Sequence, residues 1–525
     1  MEKTIPSALQ RAVQENGDKV FLYEGEKSLT FRQLDEITDR FAHSLLKQGL
    51  KKGDHIGLLA LNQMEWLISF FAATKIGVGI VALSPRFRET ELTYMLNHSE
   101  AKAVISIGEF GDYSFADAFE SLQDKLETVE TYIFLGEGFD GSLSFQQMLD
   151  QPVHSKELSR QKQMVEKDDL SIMIYTSGTT GKPKGVMITH ESILASAQAQ
   201  ADHFSVTEKD VAVGSLPFNH VGGITCTVMV ALLTHSSITL VPFFHPQQVL
   251  TAIETFKATI LGAVPTMYLM LFSTDNIEKG NLDSLRLAIV GGSNVEAALA
   301  EKINQVMPNA SLVNLYGLSE SSGACVLSKL TDDVEKVKAS IGVPIGNFKT
   351  KVVDQEGKSL KIGEEGELAI KGACVAKGYY RDEDKTKEAF TDDGWLYTGD
   401  IVSQDEAGYL SFKGRVQEMF IQGGFNVYPI EIENVLTSHK AVQMAAGIGV
   451  PDDFLGEIGR YYIVKTPGVK VTADELLEHC EKYLADYKVP RQIVFKEELP
   501  MTPAGKIQKS LLKAEYLQEQ AQKQA

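Results

Sequence analysis

Short apolar segments alternate with segments of helical periodicity from the N-terminus to about residue 400, and this alternation restricts the fold more than any other feature. Residues 30–48 are predicted to form a helix, because apolar residues recur at helical spacing after Thr30, a residue type that caps helices. Residues 55–60 and 79–83 are short and apolar, as strands buried on both faces are. Further segments of this strand type, separated by helical stretches, are residues 103–107, 131–135, 258–263, 285–290 and 311–315. The pattern predicts an α/β fold with mainly parallel sheets.

The sequence pattern changes after about residue 340. Residues 347–354, 366–371 and 409–412 alternate polar and apolar side chains, with Gly and Asp between them. This alternation is typical of a smaller antiparallel β unit. From Glu431 to the end of the chain, helix, strand and helix patterns follow one another, and they indicate a compact α+β domain.

Charge and cysteine usage exclude several classes of function. The chain has 51 Lys and Arg against 70 Asp and Glu, a formal net charge of −19. Such a chain is a poor general binder of nucleic acids or anionic membranes, because both are polyanions. The four cysteines are far apart, which argues against a disulfide framework or a zinc site and suits a reducing compartment.

Membrane and secretion signals are not evident in the sequence. The N-terminus has no apolar core of the signal-peptide type, and polar residues or glycines interrupt the most apolar stretches, residues 66–83 and 224–241. We therefore expect a cytoplasmic protein with no nucleic-acid partner and no integral membrane segment. A monomer and a homodimer are both compatible with the sequence.

Residues 174–186 (IYTSGTTGKPKGV) are the most informative segment for function. Every residue from Thr176 to Gly185 is Thr, Ser, Gly, Lys or Pro, and an apolar strand-like run precedes them. Such a loop presents backbone N–H groups, hydroxyls and two ammonium groups in a small volume, as phosphate oxygens require. It is not a Walker A loop, because the GxxxxGKS or GxxxxGKT spacing is missing. On composition alone, a flexible surface loop is the alternative.

This segment resembles the phosphate-loop signature of the adenylate-forming superfamily, which includes acyl- and aryl-CoA synthetases, amino-acid adenylation domains and beetle luciferases. Further segments resemble the superfamily's other motifs, in the same order: LPFNHVGG at 216–223, NLYGLSE at 314–320, GELAIKG at 366–372, YTGD at 397–400, KGR at 413–415 and PAGK at 503–506. The resemblance covers essentially the whole chain. The chain is therefore identified as a member of the acyl-CoA synthetase branch.

The resemblance implies a domain organisation. Residues 1–414 would form a large N-terminal adenylation domain of parallel βα subdomains, with the small β unit at about 340–414. Residues 415–418 would be a hinge, and residues 419–525 a mobile α+β C-terminal domain that carries the catalytic lysine. Gln417 stands at the hinge position, where the family usually has aspartate or lysine. A hinge does not itself need a charge, so this departure concerns the relative stability of the two domain arrangements.

The resemblance also implies site residues. Lys506, Glu320 and His220 would be catalytic, and Glu320 and Thr176 would be the metal ligands. The implied nucleotide-binding residues are Thr176, Ser177, Gly178, Thr179, Thr180, Gly181, Lys184, Gly291, Gly292, Ser293, Asn314, Leu315, Tyr316, Gly317, Ser319, Asp400 and Arg415. The implied acyl-pocket residues are His220, Val221, Gly223, Val264, Gly292 and Gly317, and the implied coenzyme A residues are Gly423 and Gly424.

Each catalytic assignment has a physical rationale and a plainer alternative. Lys506 near the C-terminus could be a solvated surface residue, but adenylation brings two anions together, and a positioned ammonium offsets their repulsion. Glu320 could be an exposed glutamate after a Tyr-Gly turn, but one carboxylate suffices for Mg²⁺ that also binds substrate phosphates. Asp400, predicted to close a Thr-Gly-Asp turn, would accept hydrogen bonds from ribose hydroxyls. His220 would line the mouth of the acyl site rather than exchange protons.

Two residues depart mildly from the family pattern. Ser319 replaces the usual threonine of the motif at 314–320, which keeps the hydroxyl and loses only a methyl group. Asn294 stands where a proline often follows the glycines that would lie against adenine. Neither change removes a group that the predicted chemistry needs.

These residues predict an ATP-dependent acid–thiol ligase with Mg²⁺ as cofactor and coenzyme A as co-substrate. No acidic residue lies between residues 211 and 253, where amino-acid-activating relatives place an aspartate, and residues 262–271 are apolar and uncharged. The predicted substrate is therefore an apolar acid, in particular a medium- or long-chain fatty acid. The alternatives are an aryl or dicarboxylic acid CoA ligase, an acyl-adenylate loader of a carrier protein, and a luciferase-like oxidative enzyme.

Overall fold

The computed structural model describes residues 2–150, 155–176, 182–274, 277, 282–292, 295, 297–501 and 507–524. The chain divides into two compact units. The larger unit comprises residues 1–350 and 370–396, and the smaller unit comprises residues 351–369 and 397–525. The strand-rich segments 351–369 and 397–414 therefore belong to the same unit as the C-terminal residues.

The strands of the larger unit are β1 (Val20–Glu24), β2 (Lys27–Thr30), β3 (His55–Leu59), β4 (Gly79–Leu83), β5 (Ala101–Ser106), β6 (Glu109–Phe110), β7 (Tyr113–Ser114), β8 (Thr131–Phe134), β9 (Leu143–Ser144), β10 (Leu170–Thr176), β11 (Lys184–Thr189), β12 (Val211–Gly214), β13 (Ser237–Leu240), β14 (Ile260–Ala263), β15 (Leu287–Gly291), β16 (Ser311–Leu318), β17 (Gly323–Leu327) and β18 (Val343–Pro344). Its helices are α1 (Ile5–Asn16), α2 (Phe31–Lys47), α3 (Met64–Lys75), α4 (Glu89–His98), α5 (Phe115–Leu122), α6 (Phe145–Leu149), α7 (Ser155–Met164), α8 (His190–His203), α9 (Val221–Gly223), α10 (Val230–Thr234), α11 (Pro246–Phe256), α12 (Pro265–Phe272), α13 (Ala297–Val306), α14 (Val334–Ala339) and α15 (Glu383–Ala389).

Two large sheets organise the larger unit. A seven-stranded sheet has the order β11-β10-β4-β3-β5-β8-β9, and a nine-stranded sheet has the order β18-β17-β16-β15-β14-β12-β13-β1-β2. The central pairs are parallel, whereas β10 and β11, and β16 and β17, pair antiparallel. This arrangement confirms the predicted α/β class, and every residue of β3 and β4 is buried, as their continuous apolar sequence requires.

The predicted helix after Thr30 is present as α2. The Thr30 hydroxyl accepts a hydrogen bond from the Gln33 N–H at 3.1 Å, and the Gln33 side chain accepts one from the Thr30 N–H at 2.9 Å. This reciprocal capping satisfies two donors at the start of the helix, so the helix begins where the sequence predicted.

The remaining elements belong mainly to the smaller unit, although β19, β20 and β21 each have two residues in the larger unit. Its strands are β19 (Lys349–Val353), β20 (Glu365–Lys371), β21 (Trp395–Gln404), β22 (Leu410–Arg415), β23 (Phe420–Gln422), β24 (Phe425–Val427), β25 (Val442–Asp452), β26 (Gly456–Lys465) and β27 (Gln492–Lys496). Its helices are α16 (Pro429–Thr437), α17 (Ala473–Tyr483) and α18 (Lys509–Gln524). Strands β19-β20-β21-β22 form a four-stranded sheet, and β23 to β27 form a five-stranded one.

Strand β26 lies inside the five-stranded sheet and is buried on both faces. Tyr461 and Ile463 belong to one hydrophobic core, and Tyr462 and Val464 belong to a second. Successive side chains of a strand point to opposite faces, so the two cores lie on the two sides of this sheet.

Two predicted turns are strands in the structure. Tyr316 and Gly317 lie within β16, and the segment that ends at Asp400 lies within β21. Gly399 has a φ of 73°, a left-handed conformation that glycine adopts easily, so β21 continues through it. At Gly317 a Cβ would lie only 2.2 Å from the Gly323 carbonyl oxygen, so the pairing of β16 with β17 requires glycine there.

Among the helices of the described residues, none combines the length and the apolar character that a membrane span requires.

Candidate active site

The predicted phosphate loop connects two antiparallel strands, β10 and β11. Thr176 is the last residue of β10, Lys184 is the first residue of β11, and the two are direct cross-strand partners. Ser177, Gly178, Thr179, Thr180 and Gly181 lie outside the described residues, as do Ser293 and Lys506. The structure therefore brings the two ends of the predicted loop together.

Helix α4 holds both arms of this hairpin. The Tyr94 hydroxyl donates a hydrogen bond to the Pro183 carbonyl oxygen at 3.0 Å. From the other arm, the Tyr175 hydroxyl donates one to the Met95 carbonyl oxygen at 3.1 Å. The base of the loop is thus attached on each side to the same rigid element.

A short segment, residues 376–380, connects the hairpin to the turn that carries Glu320. At one end the Tyr380 N–H donates to the Gly185 carbonyl oxygen at 2.8 Å. At the other end the Ala376 N–H donates to the Glu320 carbonyl oxygen, also at 2.8 Å. Sequence reasoning did not identify this segment as part of the site.

Tyr379, in the middle of that segment, joins two predicted site residues. Its hydroxyl donates a hydrogen bond to Glu320 Oε1 at 2.9 Å, and Lys184 Nζ lies 4.7 Å from the centroid of its ring. Burial, together with the negative charge of Glu320, raises the pKa of the Tyr379 hydroxyl well above its usual value. The hydroxyl therefore stays protonated and remains a donor to the carboxylate.

The residues of this region fit a magnesium–nucleotide site. Mg²⁺ prefers oxygen ligands and is commonly bound through one or two carboxylates plus substrate phosphates. Glu320 supplies one carboxylate, and Thr176 supplies a hydroxyl at the base of the loop. Nowhere in the described part of the chain do three or more His, Cys, Asp or Glu side chains form a cluster that could hold a metal ion.

Several predicted residues meet at one edge of the nine-stranded sheet. Strands β12, β14, β15 and β16 are neighbours, and the pairs among them are parallel, so their carboxyl ends lie along the same edge. Val264 follows β14, Gly291 ends β15, and Gly291 pairs with Leu315 of β16. A Cβ on Gly292 would lie 3.3 Å from Val264 Cγ1, so these two predicted pocket residues are in contact distance.

His220 caps the short helix α9, close to the same edge. Its Nδ1 accepts a hydrogen bond from the Gly222 N–H at 3.2 Å, so a neutral ring carries its proton on Nε2. Gly223 admits no larger residue, because a Cβ would lie 2.2 Å from the Pro217 carbonyl oxygen. Val221 is buried. A π-helix, Ile224–Met229, follows α9, and this rare conformation is frequent at functional sites.

The remaining predicted residues of β16 and its turn are largely buried. The side-chain amide of Asn314 donates to the Ser340 carbonyl oxygen at 3.1 Å. Ser319 is buried, and Leu315 and Tyr316 are half-buried.

Asp400 and Arg415 are neighbours in the smaller unit. They are cross-strand partners of β21 and β22, and Arg415 Nε lies 3.3 Å from Asp400 Oδ1. The Asp400 side chain is buried, whereas half of the Arg415 side chain is exposed. The sequence-based assignment of both residues to one ribose contact is compatible with this pairing.

The predicted hinge and coenzyme A residues also lie in the smaller unit. Gln417 is exposed in a turn between β22 and β23. Gly423 and Gly424 follow β23 with φ values of 60° and 86°, which favour glycine at both positions. A Cβ on Gly424 would meet no atom within 4 Å.

Comparison with known proteins identifies two family matches. Residues 9–380 match the AMP-binding enzyme family, and residues 431–506 match the AMP-binding enzyme C-terminal domain. One relative, from Rhodococcus jostii, is named as a CoA ligase for a propanoyl group that carries a methyl-dioxo-octahydro-indenyl ring system. It is 32% identical over 98% of each chain. The medium-chain fatty-acid–CoA ligase of Escherichia coli is 31% identical over 95% of this chain and 88% of its own. The crystal structure of the anthranilate CoA ligase AuaEII with anthranoyl-AMP superposes with a TM-score of 0.89 at 27% identity, covering 99% of this chain and 100% of that one.

Proposed function

The chain belongs to the AMP-binding enzyme family, and we propose that it is an acid–CoA ligase that activates an apolar carboxylic acid with MgATP. A carboxylate oxygen attacks the α-phosphorus of ATP, and pyrophosphate leaves with the electron pair of the broken bond. The thiol sulfur of coenzyme A then attacks the acyl carbon, loses its proton, and releases AMP. The observation that carries this proposal is the connection of Lys184, Tyr379 and Glu320 at the base of the phosphate-loop hairpin.

Adenylation has an electrostatic difficulty, because a carboxylate and a phosphate are both anions. Lys184 contributes a cation at the base of the loop, and we assign Lys506 as the second cation, which offsets charge as it develops on the reacting phosphate. Glu320 and Thr176 would hold Mg²⁺, which supplies further charge neutralisation on the phosphates. Tyr379 keeps the Glu320 carboxylate oriented through its hydrogen bond.

The acyl side of the site is assigned to the edge of the nine-stranded sheet. His220 accepts a hydrogen bond at Nδ1, which suits a residue that orients a carboxylate through Nε2–H rather than one that removes a proton. Val264 and Gly292 supply apolar and backbone surface beside it. Asp400 and Arg415 are assigned to the ribose, and Gly423 and Gly424 to the pantetheine arm of coenzyme A.

The acid itself is proposed to be a medium- or long-chain fatty acid. The uncharged segments at 211–253 and 262–271 support an apolar substrate, as does similarity to a ligase named for medium-chain fatty acids. The Rhodococcus relative is named for a ring-bearing acid, and the AuaEII structure holds an aryl adenylate. Ring-bearing and aryl acids are therefore the competing substrates for this pocket.

A panel of acids tests this function. We would measure acid-dependent exchange of labelled pyrophosphate into ATP, and AMP release with and without coenzyme A. The panel would contain fatty acids from acetate to oleate, together with benzoate, anthranilate, a dicarboxylate and several amino acids. At about 0.8 kcal/mol per buried methylene, kcat/KM should rise several-fold per added carbon until the pocket is full. Acyl transfer should require coenzyme A and no oxygen.

Several outcomes would contradict the proposal. Release of ADP, or exchange without any acid, would exclude adenylation of a carboxylate. A preference for an α-amino acid over octanoate would exclude the apolar pocket. Oxygen uptake, or transfer only to a carrier protein, would favour one of the other members of the superfamily.

Tyr379→Phe is expected to weaken use of Mg²⁺. The phenyl ring keeps its contact with Lys184, but Glu320 loses the donor that orients it. Loss of such an outer partner of a metal ligand typically costs about 10- to 100-fold in metal affinity or activity. The Mg²⁺ concentration for half-maximal pyrophosphate exchange should therefore rise roughly tenfold or more.

Tyr380→Phe is the matched control, because the Tyr380 hydroxyl donates to Glu100 at 2.8 Å, not to Glu320. This variant should retain the wild-type Mg²⁺ dependence. Equal behaviour of the two variants would show that Tyr379 has no role in orienting Glu320.

A further inference from the structure

His98, the last residue of α4, lies in a cluster of tyrosine rings next to the base of the phosphate loop. Its imidazole stacks on the ring of Tyr94, one helical turn earlier, with the ring centroids 5.4 Å apart. Two further rings lie nearly perpendicular to it, those of Tyr175 at 5.8 Å and Tyr380 at 6.0 Å between centroids. Aromatic pairs favour such stacked and edge-on arrangements. His98 therefore contacts α4, the hairpin and the segment 376–380 at once.

A hydrogen bond to Tyr175 fixes the orientation of this imidazole. His98 Nδ1 lies 2.8 Å from the Tyr175 hydroxyl oxygen, and that hydroxyl donates its one proton to the Met95 carbonyl oxygen at 3.1 Å. Burial raises the pKa of the Tyr175 hydroxyl well above its usual value, so the hydroxyl keeps this proton. The His98 ring consequently donates from Nδ1–H. The ring is thus attached to the residue that immediately precedes Thr176.

On its other side the imidazole supports Tyr380, which is the neighbour of Tyr379 in the chain. The Tyr380 ring also lies edge-on to His55, with the centroids 5.2 Å apart, so imidazoles from two elements contact it. Tyr379 forms an antiparallel bridge with Val186, and its hydroxyl donates to Glu320. A displacement of the Tyr380 ring would therefore move the backbone from which Tyr379 reaches Glu320.

The surroundings of His98 favour a positioning contact over a core-packing contact. A groove of about 620 Å³ borders the ring, and Thr93, Asn97 and Leu122 are among the other residues that line it. The side chain is half-buried, so truncating it admits water from the groove and leaves no sealed cavity. The cavity cost that follows truncation of a core residue is therefore small here. What truncation removes is chiefly the support of Tyr380.

We propose that His98 is a positioning residue of the magnesium–nucleotide site. Attached to Tyr175, it holds Tyr380 against the hairpin. It thereby keeps Glu320 at a fixed distance from Thr176, the two proposed metal ligands. Mg²⁺ demands near-ideal octahedral geometry, so a small shift between its ligands weakens its binding. His98 is assigned no contact with the nucleotide or the metal. This inference rests on the proposed acid–CoA ligase function and deepens it.

His98→Ala tests the proposal through ATP binding, measured by calorimetry without acid so that no turnover occurs. We expect the gain in ATP affinity that Mg²⁺ provides to fall about fivefold, less than the roughly 10- to 100-fold typical when a direct partner of a metal ligand is lost. Affinity for ATP in excess EDTA should change less than about twofold, because the loop binds phosphates without Glu320. The ratio of the two affinities reports on folded molecules alone, so partial unfolding does not change it.

A double variant tests the route from His98 to Glu320. Tyr379→Phe alone should reduce the Mg²⁺-dependent gain about tenfold. If His98 acts through Tyr379, adding His98→Ala to that variant should leave the loss at about tenfold. Independent sites would instead give about fiftyfold, because their free energies add.

His479→Ala is the matched control. His479 is also a half-buried helical histidine, with its ring centroid 5.0 Å from that of Tyr483 and its Nε2 3.1 Å from the Val435 carbonyl oxygen. These partners belong to the smaller unit. The variant should keep the wild-type Mg²⁺ dependence of ATP binding. Thermal unfolding of both variants, measured beside the wild type, reports any loss of folded protein.

The outcomes separate this inference from the function on which it rests. A loss confined to MgATP, and shared with Tyr379→Phe, supports the inference. It is overturned if His98→Ala matches the wild type, if it weakens ATP binding equally with and without Mg²⁺, or if the two losses multiply. A wild type that binds MgATP but exchanges pyrophosphate with no acid would contradict the ligase function, while the binding data still decide the inference. A wild type whose affinity for ATP does not rise with Mg²⁺ would contradict both.

Discussion

Lys506→Ala is expected to slow acyl-AMP formation by about 10²-fold or more, the scale of removing one transition-state donor. The loss should be specific to this step, because a bond to phosphorus forms and another breaks only while the carboxylate displaces pyrophosphate. Transfer of supplied acyl-AMP to coenzyme A takes place at the acyl carbon and should keep most of its rate. Single-turnover measurement of each half-reaction separates the two steps.

Lys513→Ala is a suitable control for this variant. Lys513 is an exposed lysine on α18 close to Lys506 in the sequence, so its removal changes the net charge by the same amount. It should leave both steps unchanged. Equal damage to both half-reactions by Lys506→Ala would contradict the assignment of Lys506 to adenylation alone.

Gly424→Leu is expected to produce the opposite pattern. Acyl-AMP should form at a near-normal rate, whereas transfer of the acyl group to coenzyme A should slow by about 10²-fold, the cost of misaligned reacting groups. A side chain at this position would narrow the path assigned to pantetheine. Because a Cβ there meets no atom within 4 Å, the leucine should not clash within the smaller unit. Accumulation of acyl-AMP in the presence of coenzyme A is the measurement.

The backbone strain of that substitution needs its own control. Gly424 has a φ of 86°, which costs a leucine roughly 1–2 kcal/mol whatever space surrounds it. Gly468→Leu carries the same cost, since Gly468 has a φ of 79° and also no neighbour within 4 Å of a Cβ. If Gly468→Leu slows acyl transfer as much as Gly424→Leu, the effect is strain in the unit and not obstruction of coenzyme A.

The sequence was most predictive where local periodicity decides the structure. The predicted strand at residues 79–83 coincides with β4, and the helix after Thr30 begins at its predicted cap. Both follow from burial pattern and capping chemistry, which act over a few residues. The parallel arrangement of the sheets followed from the same alternation.

Prediction from sequence was weakest where distant residues decide the structure. Tyr379 contacts Glu320 across 59 residues, and no pattern in its own neighbourhood indicates a site. The strand through Gly399 appeared as a turn, because a Thr-Gly-Asp sequence carries turn residues while its pairing with β22 depends on the rest of the sheet. The motif resemblance identified the candidate site residues, but it could not reveal the contacts that orient them, such as the hydrogen bond from Tyr379 to Glu320.

The two cores on either side of β26 have a consequence for how the smaller unit unfolds. A strand covered on one face can unpair locally, but β26 cannot leave the sheet without exposing Tyr461 to one side and Tyr462 to the other. Its amides should therefore exchange hydrogen only through unfolding of the whole unit, as in a single cooperative foldon. We therefore expect faster exchange in the turns outside this sheet, among them residues 416–418.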